Sequence, residues 1–259
     1  MANIHSTAVV EDGAQIASSA EIGPFCWVSS QAKIGENVKL LARVTVYGDT
    51  TIGDGTVVFP GACLGTGPQD HGNEFIPGAK VIIGKNNIIR ENVTIHAGTP
   101  KEQLTTIVGD DCMFMVNSHV AHDCVVGNHV IMTNNAVIGG HVRVGDGAIL
   151  GGNCAVHQFC RVGSYTMIGG GTRFSQNVLP FSLVAREPAA FCGLNTVGLR
   201  RRGFDRDLIN NIHMAYQIIL QGTGKLNDLL ARVEQEIPMS PEIQYILDFI
   251  RSSDRGFIR

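Results

Sequence analysis

The stretch "VGNHVIMTNNAVIGGHVRVGDGAIL", residues 126–150, repeats an aliphatic side chain every six residues. The period is carried by Val126, Met132, Ile138, Val144 and Leu150. A small or β-branched residue stands four places after each of them. A period of six fits neither an amphipathic helix nor an array of hairpins. It indicates short flat strands joined by turns, three of which close one coil of a parallel β-helix.

The same period covers most of the chain up to residue 174. It runs over residues 4–64, 83–95 and 108–174, which gives 26 repeats and about nine coils. The two breaks, near 65–82 and 97–107, are rich in glycine, proline and polar residues and predict loops that leave the coil. The aliphatic residue should point inward, and the glycine that often follows it should permit the backbone angles of the corner.

The repeats stop near residue 184, and helical patterns follow. Apolar residues lie at helical spacing over 205–221, with Asp205 as a plausible N-cap, and a second helical pattern covers 225–237. Ser240 and Pro241 should begin a third helix. The sequence therefore predicts a mainly β protein with a β-helix over 1–184 and a C-terminal α-helical domain over 185–259.

Composition narrows the classes of function. The chain has 259 residues and a net charge of −3, which does not suggest a nucleic-acid partner. No stretch approaches the roughly 20 apolar residues of a membrane span, so we expect no integral membrane segment and a cytoplasmic location. Five of the seven cysteines occupy the small inward position of the repeat and are expected to be reduced core thiols. They are Cys26, Cys112, Cys124, Cys154 and Cys160.

Residues 116–130, "VNSHVAHDCVVGNHV", concentrate histidines on the outside of the coil. His122 and Asp123 fall in the turn-facing part of their repeat. An imidazole with an adjacent carboxylate can act as a general base. A zinc site would need three converging ligands, and His119 and His122, three residues apart, should diverge along a strand. A solvated polar face is the third alternative, and the residues alone leave all three open.

Several longer motifs resemble one family. "IRENVTIHAGT", "SHVAHDCVVGN", "GGHVRVGDGAILGG", "AVHQFCRVG", "GLRRRGF" and "SDRGFIR" are similar to the UDP-N-acetylglucosamine acyltransferases, which catalyse the first step of lipid A synthesis. These belong to the hexapeptide-repeat acyltransferases. The resemblance covers the whole chain and implies a left-handed β-helix and a homotrimer.

The resemblance also implies a reaction and a set of site residues. The expected reaction moves a 3-hydroxyacyl chain from acyl carrier protein to the 3-position of UDP-N-acetylglucosamine, without cofactor or metal. His122 matches the general base, Asp123 its orienting partner and Gly140 the backbone donor to the oxyanion. The expected substrate-binding residues are His119, His141 and His157 around the acceptor, Gln69 and Asp70 on the sugar, Asn195, Arg201 and Arg202 on the nucleotide, and Gly170 at the position that limits the acyl chain to about 12 to 14 carbons.

Two departures from the family pattern keep an alternative open. Most members read "QDLK" where this chain has "QDHG", and carry an acid where this chain has Val197. Both are reminiscent of members that prefer a 3-amino acceptor and form an amide. Outside acyl transfer, the alternatives are a zinc-dependent gamma-type carbonic anhydrase and a non-catalytic trimeric scaffold. The basic residues 200–202 also suit a landing patch for the acidic carrier protein.

Overall fold

The computed structural model describes residues 2–69, 71 and 76–259. Strands follow one another every six residues and pair with the third strand along, so partners such as Asn3 and Glu21 lie 18 residues apart. Three parallel sheets result, and they form the three faces of a prism. The repeat therefore predicted the coil correctly.

The strands of each face are as follows. The first face contains β1 (Asn3–Ile4), β4 (Glu21–Ile22), β7 (Lys39–Leu40), β10 (Val57–Val58), β13 (Ile88–Ile89), β16 (Met113–Phe114), β19 (Ile131–Met132), β22 (Ile149–Leu150), β25 (Met167–Ile168), β27 (Ser182–Ala185) and β28 (Ala190–Leu194). The second contains β2 (Val9–Val10), β5 (Trp27–Val28), β8 (Thr45–Val46), β11 (Cys63–Thr66), β14 (Thr94–His96), β17 (His119–Val120), β20 (Val137–Ile138), β23 (Ala155–Val156) and β26 (Arg173–Phe174). The third contains β3 (Gln15–Ile16), β6 (Lys33–Ile34), β9 (Asp49–Ile52), β12 (Lys80–Ile83), β15 (Thr105–Val108), β18 (Val125–Val126), β21 (Arg143–Val144) and β24 (Arg161–Val162).

The inside of the prism is filled as the repeat predicts. From Ile22 onward, the repeating aliphatic residue of each coil strand is buried. The five cysteines at the small position are buried free thiols. Burial raises the pKa of Cys112 to about 11 and that of Cys154 to about 12, which leaves both unreactive near neutral pH.

The corners correct one expectation. Left-handed φ angles fall three residues after the aliphatic position, as at Asn135 (φ 59°), and not at the glycine that follows it directly. Glycine at that place serves close packing. A Cβ on Gly127 would lie 2.3 Å from Oδ1 of Asp146 in the next coil. The glycines therefore allow the coils to stack, while asparagine and other residues accept the strained corner angles.

Both long loops leave the prism at the corner between the second and third faces, here called the 2–3 corner. One follows β11 and the other follows β14, and each ends at the next strand of the third face. The other two corners are named 1–2 and 3–1 in the same way. Functional residues on the loops therefore share one edge of the prism.

The C-terminal region packs a helical cap on the prism. Its helices are α1 (Thr196–Arg201), α2 (Arg206–Gln221), α3 (Leu226–Glu236) and α4 (Pro241–Arg251). Asp205 caps α2 by accepting from the Asp207 N–H, and Ser240 caps α4, as predicted. The sequence did not predict α1 or the antiparallel pairing of β28 with β27. No helix of the described residues has both the length and the apolar character that crossing a membrane requires.

Candidate functional site

The histidines cluster at the 2–3 corner, in consecutive coils. His122 and Asp123 form the turn between β17 and β18, and Gly140 and His141 occupy the same turn one coil later. Asp123 and His141 take left-handed φ angles of 57° and 63°. Because the corner turns the chain outward at this point, the His122 side chain lies outside the prism and stays 13% exposed.

His122 and Asp123 form a hydrogen-bonded pair. Nδ1 of His122 lies 2.9 Å from Oδ2 of Asp123. A carboxylate can only accept, so Nδ1–H donates and Nε2 carries the free lone pair. Thr99, in the loop after β14, donates to the same carboxylate from its N–H at 2.9 Å and its hydroxyl at 2.6 Å. The pair is thus held in one tautomer and one orientation.

The charge of Asp123 is maintained although its side chain is fully buried. Burial by itself would raise the pKa of this carboxyl. Hydrogen bonds from His122 and Thr99, with the nearby His141, outweigh burial and leave the pKa below its usual value of 3.8. Asp123 is therefore an anion at neutral pH, ready to stabilise a proton on His122.

An open cleft of about 430 Å³ lies beside His122. It is lined by Gln69, His96, His119, Ala121, His122, Val137, Ile138, Gly139, Gly140, Val156, His157 and Gln158. Besides His122, four of these residues belong to the set predicted from sequence, namely Gln69, His119, His157 and Gly140. The structure brings them together with His122 on the second face.

Gly140 lies directly against the ring of His122. A Cβ on this residue would lie 2.5 Å from Cε1 and 2.6 Å from Nε2 of His122. The ring occupies the space of the missing side chain, so only glycine fits. Within the described part of the chain, the Gly140 N–H donates no hydrogen bond. A free amide next to Nε2 can stabilise negative charge that develops there.

His96 and His119 form a second pair in the cleft. Their rings meet edge to face with centroids 4.9 Å apart, and Nδ1 of His119 lies 2.7 Å from the Thr94 hydroxyl. Burial, followed by the neighbouring His119 and His122, lowers the pKa of His96 to about 4. Burial and His122 also lower the pKa of His119. Both rings are therefore neutral near pH 7.

His141 lies on the other side of His122 from this cleft. Its ring meets that of His122 edge to face at 5.0 Å and stacks on Phe159 at 4.4 Å. It lines a neighbouring cleft of about 450 Å³ with Glu102 and Arg143. Of the three histidines predicted around the acceptor, the structure places His119 and His157 in the cleft beside His122, whereas the ring of His141 packs against His122 from the neighbouring cleft.

The other predicted residues that the structure describes lie away from the 2–3 corner of the same chain. Gly170 is an exposed turn residue at the 1–2 corner, where a Cβ would lie 3.3 Å from the carbonyl oxygen of Gly152. Arg202 donates to the Gly147 carbonyl at the 3–1 corner. Arg201 is exposed at the end of α1.

Asn195 has a structural task that the sequence did not indicate. Its side-chain oxygen accepts from the Gly198 N–H and caps α1, while its amide donates to the Tyr165 carbonyl. Val197, one of the two family departures, is 59% exposed on the same helix. Asp70, and Gly72 of the "QDHG" departure, lie outside the described residues.

Three residues of the site were not among the predicted set. His96 and Gln158 line the cleft, and Thr99 holds Asp123. His96 follows an inward aliphatic and so carried a signal for the second face. Thr99 carried none, because the path of a loop across neighbouring coils is not encoded in a local pattern.

The zinc alternative can be compared with this geometry. His122, Asp123 and His141 each bring one potential ligand atom within 4.8 Å of the others. The pair considered from sequence, His119 and His122, is not in this group. Of these three residues, Asp123 already accepts hydrogen bonds at both of its oxygens, from Thr99 and from Nδ1 of His122. The arrangement therefore matches an oriented base more closely than a set of free ligands.

Known proteins resemble this chain over its full length. A curated acyl-[acyl-carrier-protein]–UDP-N-acetylglucosamine O-acyltransferase from Rhizobium johnstonii is 45% identical over 98% of this chain and 94% of its own. The crystal structure of the UDP-N-acetylglucosamine acyltransferase LpxA from Bacteroides fragilis has a TM-score of 0.86 at 43% identity, covering 100% and 98%. LpxA from Acinetobacter baumannii has a TM-score of 0.94 at 38% identity, covering 99% of both chains.

Family models agree with these relatives. The model for the bacterial transferase hexapeptide (six repeats) matches residues 31–66 and 105–140. The model for domain 2 of UDP-N-acetylglucosamine O-acyltransferase matches residues 177–258. With these neighbours, the prism is a left-handed parallel β-helix followed by a helical region. The chain therefore belongs to the UDP-N-acetylglucosamine O-acyltransferase family.

Proposed function

We propose that the protein transfers a 3-hydroxyacyl chain from acyl carrier protein to the 3-hydroxyl of UDP-N-acetylglucosamine, as the first step of lipid A synthesis. The observation that carries this proposal is the His122–Asp123 pair at the edge of an open cleft, with Nε2 of His122 free. The names of the relatives supply the donor and acceptor classes.

In the proposed reaction, Nε2 of His122 takes the proton of the sugar hydroxyl as its oxygen attacks the thioester carbon. The new C–O bond forms while the carbonyl oxygen becomes an oxyanion, which the Gly140 N–H stabilises. The C–S bond then breaks, and His122 returns the proton to the leaving thiolate. Asp123 keeps Nδ1 protonated throughout and stabilises the transient imidazolium.

Substrate-binding roles complete the proposal. His119, His157 and Gln69 line the cleft and contact the acceptor sugar together with Asp70, while His141 supports the base. Arg201 and Arg202 bind the diphosphate of the nucleotide, since guanidinium groups suit phosphate oxygens. Asn195 serves the nucleotide site by fixing the start of α1. Gly170, which lacks a side chain, leaves room for an acyl chain of about 12 to 14 carbons.

We infer further that the active form is a homotrimer. His122 lies at the 2–3 corner and Arg202 at the 3–1 corner of one chain, so a single acceptor meets both when a second copy places its 3–1 corner beside the cleft. The proposed substrates also imply a cytoplasmic enzyme, because acyl carrier protein and nucleotide sugars are cytoplasmic.

The test is a transfer assay with purified protein, a 3-hydroxyacyl carrier protein and UDP-N-acetylglucosamine, followed by mass spectrometry of the product. We expect O-acylated sugar nucleotide, and a kcat at least about a hundredfold lower for His122→Ala. His5→Ala, which removes an exposed histidine in the first coil, is the matched control and should resemble wild type.

Two results would contradict the proposal. Undiminished turnover in His122→Ala would show that His122 is not the general base. A product formed only with the 3-amino analogue of the acceptor would replace the ester by an amide and give the two family departures their explanation.

A further inference from the structure

The loop between β14 and β15 reaches two successive coils of the prism at the 2–3 corner. Thr99 donates to Asp123, in the turn that carries His122. Glu102, three residues later in the loop, reaches the turn of the following coil, where His141 lies. One loop therefore contacts the carboxylate partner of His122 and the ring of His141 itself.

The carboxylate of Glu102 is bound at both oxygens. Oε2 lies 2.8 Å from Nδ1 of His141, and Oε1 accepts from the Arg143 guanidinium at 2.6 Å. Arg143 fixes the carboxylate from the solvent side, since its own side chain is 51% exposed whereas that of His141 is only 6% exposed. A carboxylate held in this way requires Nδ1 of His141 to be the protonated nitrogen.

The ring of His141 has little freedom in this arrangement. It stacks on Phe159 with an interplanar angle of 4° and meets the His122 ring edge to face at 89°. Because His141 packs directly against His122, a rotation of the first ring would displace the second. The orientation of the base therefore depends on Asp123 at one side and on His141 at the other.

We propose that Glu102 is a positioning residue: it fixes the tautomer and orientation of His141, and through that ring the orientation of His122. This inference rests on the proposed function, since it assigns Glu102 to the same reaction. Glu102 does not itself reach the cleft beside His122, whose lining does not include it. Its removal should consequently slow turnover and leave substrate binding largely intact.

The test uses Glu102→Ala in the full-length protein. We expect kcat to fall by about tenfold, with KM for donor and acceptor within about twofold of wild type. The vacated position borders an open cleft of about 450 Å³, so added acetate can enter it. Acetate should restore part of the lost kcat in the variant without changing wild type. Glu21→Ala, which removes the acid of an exposed ion pair with Lys39, is the matched control. Its kcat should equal that of wild type and should not respond to acetate.

A second measurement does not depend on activity. Long-range ¹H–¹⁵N spectra of histidine-labelled protein should show His141 as the Nδ1–H tautomer in wild type and a shift towards Nε2–H in Glu102→Ala. His141→Asn identifies the signal by removing it.

The possible outcomes separate the two proposals. If wild type transfers no acyl chain, the proposed function fails, and the tautomer still reports on the contact. If wild type is active and Glu102→Ala has the same kcat, or loses kcat without response to acetate, the positioning role is wrong. An unchanged tautomer at His141 would overturn it as well.

Discussion

At the scale of single residues, the ring of His122 determines what residue 140 can be. The space that a side chain at this position needs is filled by the imidazole, which would lie 2.5 Å from a Cβ. Contacts this short force one of the two groups to move. Under the proposed mechanism, Gly140 thus links the N–H that donates to the oxyanion with the placement of the His122 ring.

Gly140→Ala should therefore lower kcat by about tenfold or more, because the displaced ring no longer has Nε2 in place. The Asp123 contact should partly survive, so the oligomeric state and the melting temperature should change little. Gly152→Ala, where a Cβ finds its nearest neighbour at 3.4 Å, is the control for an extra methyl in a turn. Equal turnover in both alanine variants would show that the ring tolerates the methyl.

His96 predicts a dependence of stability on pH. Its pKa in the folded protein is about 4, against 6.5 for an ordinary histidine, since burial disfavours its charged form. Between these values the unfolded chain binds a proton that the folded chain does not. The contribution of His96 to the free energy of unfolding should therefore be fully present above pH 6.5 and be lost as the pH falls towards 4.

Between pH 7 and pH 4.5, the free energy of unfolding of His96→Asn should fall by less than that of wild type, with a difference on the order of 2 kcal/mol. Urea unfolding at the two pH values measures it, with His213→Asn, an exposed histidine on α2, as the control for removal of an imidazole. The same loss in wild type and His96→Asn would assign the acid sensitivity to other groups.

At residue scale, the sequence predicted contacts correctly where the two groups are neighbours in the chain. The adjacent positions of His122 and Asp123 already predicted the contact between imidazole and carboxylate that the structure contains. Prediction failed where contacts cross coils. The bonds from Thr99 and Glu102, and the neighbouring cleft that His141 lines, depend on which coil a loop reaches. The glycine that follows the aliphatic residue was assigned to corner angles, whereas it permits close stacking.

At the scale of elements, the loop after β14 acts as a strap across the 2–3 corner. Its existence was predicted from the break in the repeat, and its bonds to Asp123 show what it holds. The helices were predictable for a different reason. Asp205 and Ser240 cap α2 and α4 through bonds to residues two or three places along the chain, so the signal is local. The contacts of the loop are not local.

Thr99→Val tests this strap. The change keeps the shape and the backbone N–H but removes the hydroxyl that donates to Asp123 at 2.6 Å. Loss of one hydrogen bond to a buried carboxylate should reduce the free energy of unfolding by about 1.5 kcal/mol. Calorimetry and urea unfolding measure it, and Thr99→Ser, which retains the hydroxyl, should lie close to wild type. If Thr99→Val is as stable as wild type and only Thr99→Ser is destabilised, the packing of the methyl group and not the hydroxyl is responsible.

At the scale of the whole molecule, the proposed residues occupy separate corners of one prism. His122 lies at the 2–3 corner and the contact of Arg202 with Gly147 at the 3–1 corner. The sequence repeat predicted the prism, because every coil uses the same inward positions. It could not show how copies of the chain meet, since outward residues of a β-helix follow no comparable pattern.

Mixing two inactive variants tests the shared site. Subunits carrying His122→Ala and subunits carrying Arg201→Ala and Arg202→Ala should regain up to about a quarter of wild-type turnover when unfolded together and reassembled in equal amounts. In random trimers that fraction of sites takes its base from one variant and its arginines from the other. No recovery, with reassembly verified by sedimentation, would place base and arginines in the same chain.

Both long loops emerge from the same edge of the prism, between the second and third faces, and the remaining two edges continue from coil to coil with short turns. The loops that can alter the chemistry of the site are thus separate from the coils that maintain the fold. Replacing or lengthening these two loops can change the acceptor that the site binds, while the strands of the prism stay in register. Changes confined to this one edge therefore leave the packing of the coils unchanged.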